Sequence, residues 1–66
     1  MKPYQERVLV ERDELVDRIS RLGPFIASDM FKQLPGAEQE RMRRQLDIMV
    51  QYRDVLLERI KSFGAG

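Results

Sequence analysis

The chain has no cysteine and no histidine among its 66 residues. Without cysteine there can be no disulfide staple, and without histidine only carboxylates remain from the usual set of metal ligands. A chain of this size buries only about 60% of the surface its unfolded form exposes. Small domains of this kind usually draw extra stability from disulfides, metals or association with other chains. With the first excluded and the second restricted, oligomerisation is what remains. The same absences thin out catalysis, because a nucleophile or general base has to come from Ser, Lys, Tyr or a carboxylate. Ser20, Ser28 and Ser62 have no activating context. Carboxylate pairs such as Glu11 with Glu14, or Asp54 with Glu58, are flanked by basic residues and read as solvated surface. No catalytic residue, metal site or cofactor is expected, and the chain is not read as an enzyme.

Long apolar runs are missing too. Nothing approaches the ~20 residues of a membrane span, and the N-terminal stretch has no apolar core of the kind a signal peptide carries. The expectation is a soluble, cytoplasmic protein with no membrane partner; the absent cysteines fit a reducing compartment. Nor is there a surplus of charge, since the formal net charge is +1. That is no field to draw the chain onto duplex nucleic acid. Within the balance, however, arginine outnumbers lysine nine to three. Its rigid fork of donors suits phosphate or carboxylate, and hence a small phosphorylated ligand, although helical ion pairs produce the same bias. Repeats, low-complexity tracts and linkers are absent, so residues 1–66 read as a single helical-hairpin domain.

What is present is organised around Glu38 to Phe63. At 100° per residue Met42, Leu46, Met49, Leu56 and Ile60 form one stripe, flanked by Val50 and Leu57 on one side and by Tyr52 and Phe63 on the other. Ile48 and Val55 lie beyond Tyr52. The apolar arc spans roughly 220°, about twice what docking on one neighbour needs. One partner cannot cover it. A helix over 36–63 therefore packs on its own chain with one side and on other copies, or a target, with the other. The spacing never holds a strict heptad, which argues against a long coiled coil.

Residues 3–22 predict the first helix, with Pro3 in the first turn, where a missing N–H costs nothing. Tyr4, Val8, Leu15, Ile19 and Leu22 fall within about 60° of one another, a seam wide enough for one partner helix. Opposite charges four apart, Arg7 with Glu11, Glu14 with Arg18 and Asp17 with Arg21, predict ion pairs on the outer face. Glu40 with Arg44 and Arg43 with Asp47 do the same on the second helix. Gly23-Pro24 should end the first helix through a left-handed glycine cap and the restriction on residues before proline. Phe25, Ile26, Met30, Phe31 and Leu34 make the 24–34 connector too apolar for a solvated loop. Ser28 offers an N-cap for a short helix over Asp29 to Gln33, whose aromatics plug the end of the hairpin. Pro35 marks the start of the second long helix, Gly36 weakens its first turn, and Gly64 is a stop within a frayed 62–66 terminus.

Four side chains stand out on spacing. Tyr4 lies in the inner stripe but at the helix start, as either an end-capping aromatic or a platform for a stacked base. Arg18 edges the same stripe, as either half of a surface ion pair or a free cation. Arg59 lies on the Tyr52 and Val55 strip, and Arg53 falls within the main arc; an interfacial salt bridge is the simplest use of both, since a buried unpaired charge is costly.

The order Tyr4-Gln5-Glu6-Arg7-Val8, the run Leu15 to Leu22, Phe25-Ile26, Phe31, Leu34-Pro35, Glu38-Gln39, Gln45-Leu46, Met49, Tyr52 and Leu57-Glu58-Arg59-Ile60 resembles a family of very small phage proteins. This is the anti-CBASS cyclic-oligonucleotide sponge family, whose helical hairpin is shared with one kind of Thoeris anti-defence protein. The resemblance runs from about Lys2 to Phe63. It implies an all-α two-helix hairpin that assembles, commonly as a hexamer, and sequesters cyclic di- and trinucleotide signals of host immunity without degrading them. For a phage protein, the place of action is the host bacterial cytoplasm. The resemblance also implies that Tyr4 stacks on a base and Arg18 contacts the ligand, with Arg59 the candidate for a separate trinucleotide site. Together with Arg7, one turn beyond Tyr4, these make the candidate ligand-binding set. Two departures stand out: Arg18 replaces a common lysine, and Arg53 follows Tyr52 where a small residue is expected. Tyr4 and Arg18 are roughly 21 Å apart along one helix, so a single ligand touching both needs two protomers. The competing expectation is a structural or protein-interaction hairpin whose wide apolar arc docks on a partner polypeptide.

Overall fold

The computed structural model describes residues 1–64; Ala65 and Gly66, part of the terminus expected to fray, lie outside the described residues. Three helices follow one another, α1 (Pro3–Ile26), α2 (Asp29–Lys32) and α3 (Gly36–Phe63). There is no strand among the described residues. The long helices lie antiparallel in a rod of 48 × 14 × 14 Å, as shown by the contact of Tyr4 with Phe63 at one end and of Phe25 with Phe31 at the other.

α1 begins at Pro3 because the turn before it is closed by Lys2, whose N–H donates to Gln5 Oε1 at 3.0 Å while its carbonyl accepts from the Gln5 and Glu6 N–H groups. The helix does not stop at Leu22. It passes through Gly23 and Pro24 to Ile26, and the expected left-handed glycine is not used, since no glycine among the described residues has positive φ. Pro24 normally disfavours a helical residue before it through clashes of its Cδ with the preceding Cβ and N–H. Glycine has no Cβ, so half of that clash is gone. The lost hydrogen bond falls in the last turn, and half-buried Phe25 meets Phe31 from that turn.

Ser28 caps α2, accepting from the Phe31 N–H at 3.3 Å and donating to the Phe25 carbonyl at 2.5 Å. One hydroxyl thereby ends α1 and starts α2. Phe31 is 1% exposed. The Phe25 ring meets it edge-on at 6.1 Å, and the Arg43 guanidinium lies 5.1 Å from its centroid. The hairpin's closed end is therefore plugged by aromatics, and Arg43 leans on that plug rather than pairing with Asp47. Gln39 fastens the connector to α3 by donating to the Leu34 and Lys32 carbonyls at 2.8 and 3.2 Å.

The main core is short. Val8, Leu15 and Leu56 are fully buried, with Ile19, Met49, Ile60 and Phe63 packed around them. Each full burial is worth about 1.5–3 kcal/mol. Of the outer members of the α1 stripe, Tyr4 is exposed although it meets Phe63 of α3, and Leu22 is half-buried.

α3 starts at Gly36, one residue after Pro35, whose carbonyl accepts from the Glu38 and Gln39 N–H groups. A Cβ added at Gly36 would meet nothing within 4 Å. Gly36→Ala is therefore expected to stabilise the hairpin by about 0.4–1 kcal/mol by reducing the freedom of the unfolded chain. Urea denaturation followed by circular dichroism would register this as a raised midpoint with an unchanged slope.

Candidate functional site

Tyr52 on α3 donates its hydroxyl proton to the Glu11 carboxylate on α1. This bond sets the register of one broad face. Ile48, Tyr52, Val55 and Arg59 recur at i, i+4, i+7 and i+11 along one edge of α3, and Arg7, Glu11, Glu14 and Arg18 recur at the same intervals along the facing edge of α1. Three of the four candidate ligand-binding residues, Arg7, Arg18 and Arg59, thus share one face of the hairpin, and all three are exposed.

The expected ion pairs are mostly not made. On α1 only Asp17 and Arg21 meet, at 2.8 Å. Glu11 is engaged across the hairpin by Tyr52 instead of along α1 by Arg7. Among the described residues, Arg7, Arg18, Arg43, Arg44 and Arg59 make no ion pair; the pairs formed by arginine are those of Arg12, Arg21, Arg41 and Arg53. Arg53 is partly covered and meets the neighbouring Asp54 at 3.1 Å, so its charge is compensated within α3 without an interface.

Two depressions hold the candidates Tyr4 and Arg18. At the hairpin's open end Tyr4 meets the Phe63 ring edge-to-face at 5.8 Å, and the notch around them is lined by Lys2, Gln5 and Ser62. Tyr4 remains 44% exposed despite that contact. It is packed and presented at once, so both roles expected for it are open to it. The second depression lies towards the turn, where Arg18, Arg21, Leu22 and Phe25 from α1 face Gln45 and Met49 from α3. Arg7 borders a shallow concavity formed entirely on α1, with Val10 and Glu14. Arg59 lies one turn before Phe63, on the Tyr4 half of the hairpin.

Within one chain, then, Tyr4 and Arg18 are not brought together. Phe25, Gln45 and Met49 were not among the sequence candidates, because they join Arg18 only once the helices are in register. Stepping seven residues from the Glu11–Tyr52 contact, forward on α1 and back on α3, places Arg18 opposite Gln45. A cross-hairpin anchor is the signal that would have found them.

Beside these candidates the surface stays apolar in places: Val10, Ile48 and Val55 are 56%, 58% and 49% exposed. Among the described residues no helix is long and apolar enough to cross a membrane. No group of three or more His, Cys, Asp or Glu side chains among them is arranged to hold a metal ion.

The chain is thus a small two-helix hairpin protein that presents guanidinium groups without ion pairs beside exposed aromatic and aliphatic side chains. The sequence matches the Sequestin family over residues 2–62, and the chain is a member of that family. It is 36% identical over 63 residues to an Enterobacteria phage T4 protein described as an uncharacterized 7.5 kDa protein in the denB-rIIB intergenic region, with 96% of this chain and 98% of that one covered. No solved structure matches the chain.

Proposed function

We propose that this protein binds cyclic di- or trinucleotide second messengers and holds them intact, acting as a phage-type antagonist of host immune signalling in the bacterial cytoplasm. The observation that carries the reading is Arg18: its guanidinium makes no ion pair and lines a groove with Phe25, on a chain of the Sequestin family. An unpaired guanidinium offers a forked donor to a phosphodiester, and an aromatic ring offers a face to a base. These are the two parts a cyclic nucleotide needs. The family name and the phage relative agree with sequestration; the resemblance to the anti-CBASS sponges supplies the ligand class.

Tyr4 contributes from a second chain. It stands roughly 21 Å from Arg18 along α1, so a ligand touching both lies between protomers. First helices packed antiparallel across a two-fold axis bring Tyr4 of one chain to Arg18 of another and repeat the pocket twice per dimer. Dimers of this kind build the hexamer that the resemblance implies. Arg59, on the same face, serves the trinucleotide, and Arg7, on the α1 concavity with Val10 and Glu14, offers a further donor to the ligand. Sequestration needs no bond-breaking group, and none is assigned.

Calorimetric titration with a panel of cyclic di- and trinucleotides, followed by heating and chromatography of the released ligand, tests the reading. Saturable binding with intact ligand recovered is expected. Cleaved ligand would make the protein an enzyme. No binding to any member of the panel would favour the second reading, a hairpin scaffold for a protein partner, for which the exposed Val10, Ile48 and Val55 argue.

A further inference from the structure

The groove around Arg18 contains one polar side chain that neither ion pairing nor packing uses. Gln45 projects from α3 opposite Arg18, and its Nε2 donates to the Met49 Sδ at 3.8 Å. A thioether is a weak acceptor. Among the described residues the Gln45 carbonyl oxygen accepts no hydrogen bond, and the residue is exposed. The other members of the groove are already employed. Arg21 is held by Asp17 at 2.8 Å, Phe25 packs on Phe31, and Met49 belongs to the layer around the core. What remains free to meet polar groups is one cation, Arg18, and one carboxamide, Gln45, on opposite walls, with half-buried Phe25 still lining the groove beside them.

A carboxamide is unlike a guanidinium in what it can read. It presents one donor and one acceptor side by side, which matches the N6 amino group and N7 of adenine. On that N7 edge guanine offers two acceptors, O6 and N7, with no donor for the carboxamide oxygen; only its O6 and N1–H edge would suit a carboxamide as adenine does. We propose that Gln45 is the base-reading residue of this groove, that it meets the N7 edge of the base and so biases the groove towards adenine, with Arg18 taking the adjoining phosphate and Phe25 the base face. The assignment rests on the cyclic-nucleotide reading above and adds the residue that sets base preference.

The test uses the full chain, with cyclic di-AMP and cyclic di-GMP as probes titrated into the wild type, Gln45→Ala and Gln45→Arg. The wild type is expected to prefer the adenine ligand by at least about fivefold, the low end of what one bidentate pair contributes. Gln45→Ala should bring the two affinities close to parity. Gln45→Arg should turn the preference towards guanine, because a guanidinium donates to both O6 and N7. Helicity measured alongside should not change, since the side chain is exposed on a long helix. A wild-type protein that binds both probes equally, or a preference that survives both substitutions, would overturn the role of Gln45 while leaving the cyclic-nucleotide reading standing. Binding of neither probe nor any other cyclic nucleotide would overturn both together.

Discussion

Phe31→Ala is expected to cost about 3–5 kcal/mol, the usual penalty for emptying a buried aromatic site. The whole protein has little to spare: at about 0.05–0.15 kcal/mol per residue, a chain of 66 residues holds roughly 3–10 kcal/mol in total. Phe31 sits outside the Val8, Leu15 and Leu56 cluster, so its loss is not shared with that core. It takes with it the edge contact of Phe25 and the guanidinium contact of Arg43. The first of these ties the last turn of α1, just past Pro24, to α2. The variant should therefore lose the fixed turn and, with it, the groove between Phe25 and Gln45. Chemical denaturation and near-ultraviolet circular dichroism would show this. Phe31→Leu keeps most of the apolar volume and forfeits mainly the ring-specific contacts, about 0.5–1.5 kcal/mol. A small effect from Phe31→Ala would mean that α1 and α3 hold their register without the plug.

That contrast also shows which features could be read before folding. Apolar spacing is a property of each helix alone, and it located both long helices and the residues that meet at the core. Leu56 and Leu15 are buried where their stripes put them. Gly-Pro signals a stop to α1 by local rules, whereas the contact of Phe25 that opposes those rules comes from Phe31 in the connector. Charge spacing failed for a related reason. Four-residue spacing allows Arg7 to meet Glu11, but it knows nothing of Tyr52, which is 41 residues from Glu11 in the chain and takes the carboxylate. The consequence reaches the candidate site, because Glu11 held by Tyr52 leaves Arg7 without its expected partner. Residue arithmetic on α1 alone was enough to separate Tyr4 from Arg18. Gln45 falls at the angle of Phe63, a polar residue inside the wide apolar arc of α3, but only the register of the hairpin turns it towards Arg18.

Mixing two inactive variants should restore binding. In the two-fold arrangement each pocket takes Tyr4 from one protomer and Arg18 from the other. Tyr4→Ala alone leaves every pocket without its stacking face, a loss of about 1–3 kcal/mol per base, or roughly 5- to 150-fold in affinity. Arg18→Ala alone leaves every pocket without its phosphate donor. In a mixed dimer the two lesions fall together in one pocket, and the other pocket receives an intact Tyr4 from the Arg18→Ala chain and an intact Arg18 from the Tyr4→Ala chain. Random exchange of equal amounts makes about half of the dimers mixed, so about a quarter of all pockets should recover wild-type affinity. Titration of the mixture, after unfolding and refolding together, would show that fraction as a tight-binding phase that neither variant has alone. Tyr4 also touches Phe63, so Tyr4→Ala carries some stability cost of its own; Tyr4→Leu keeps apolar volume at that contact and should behave in the mixture as Tyr4→Ala does. Two outcomes would sink the shared pocket. Binding that survives Tyr4→Ala would make the tyrosine a packing residue. Loss in both variants without recovery in the mixture would place both residues on one chain's ligand, and the roughly 21 Å between them would then require a ligand larger than a cyclic dinucleotide.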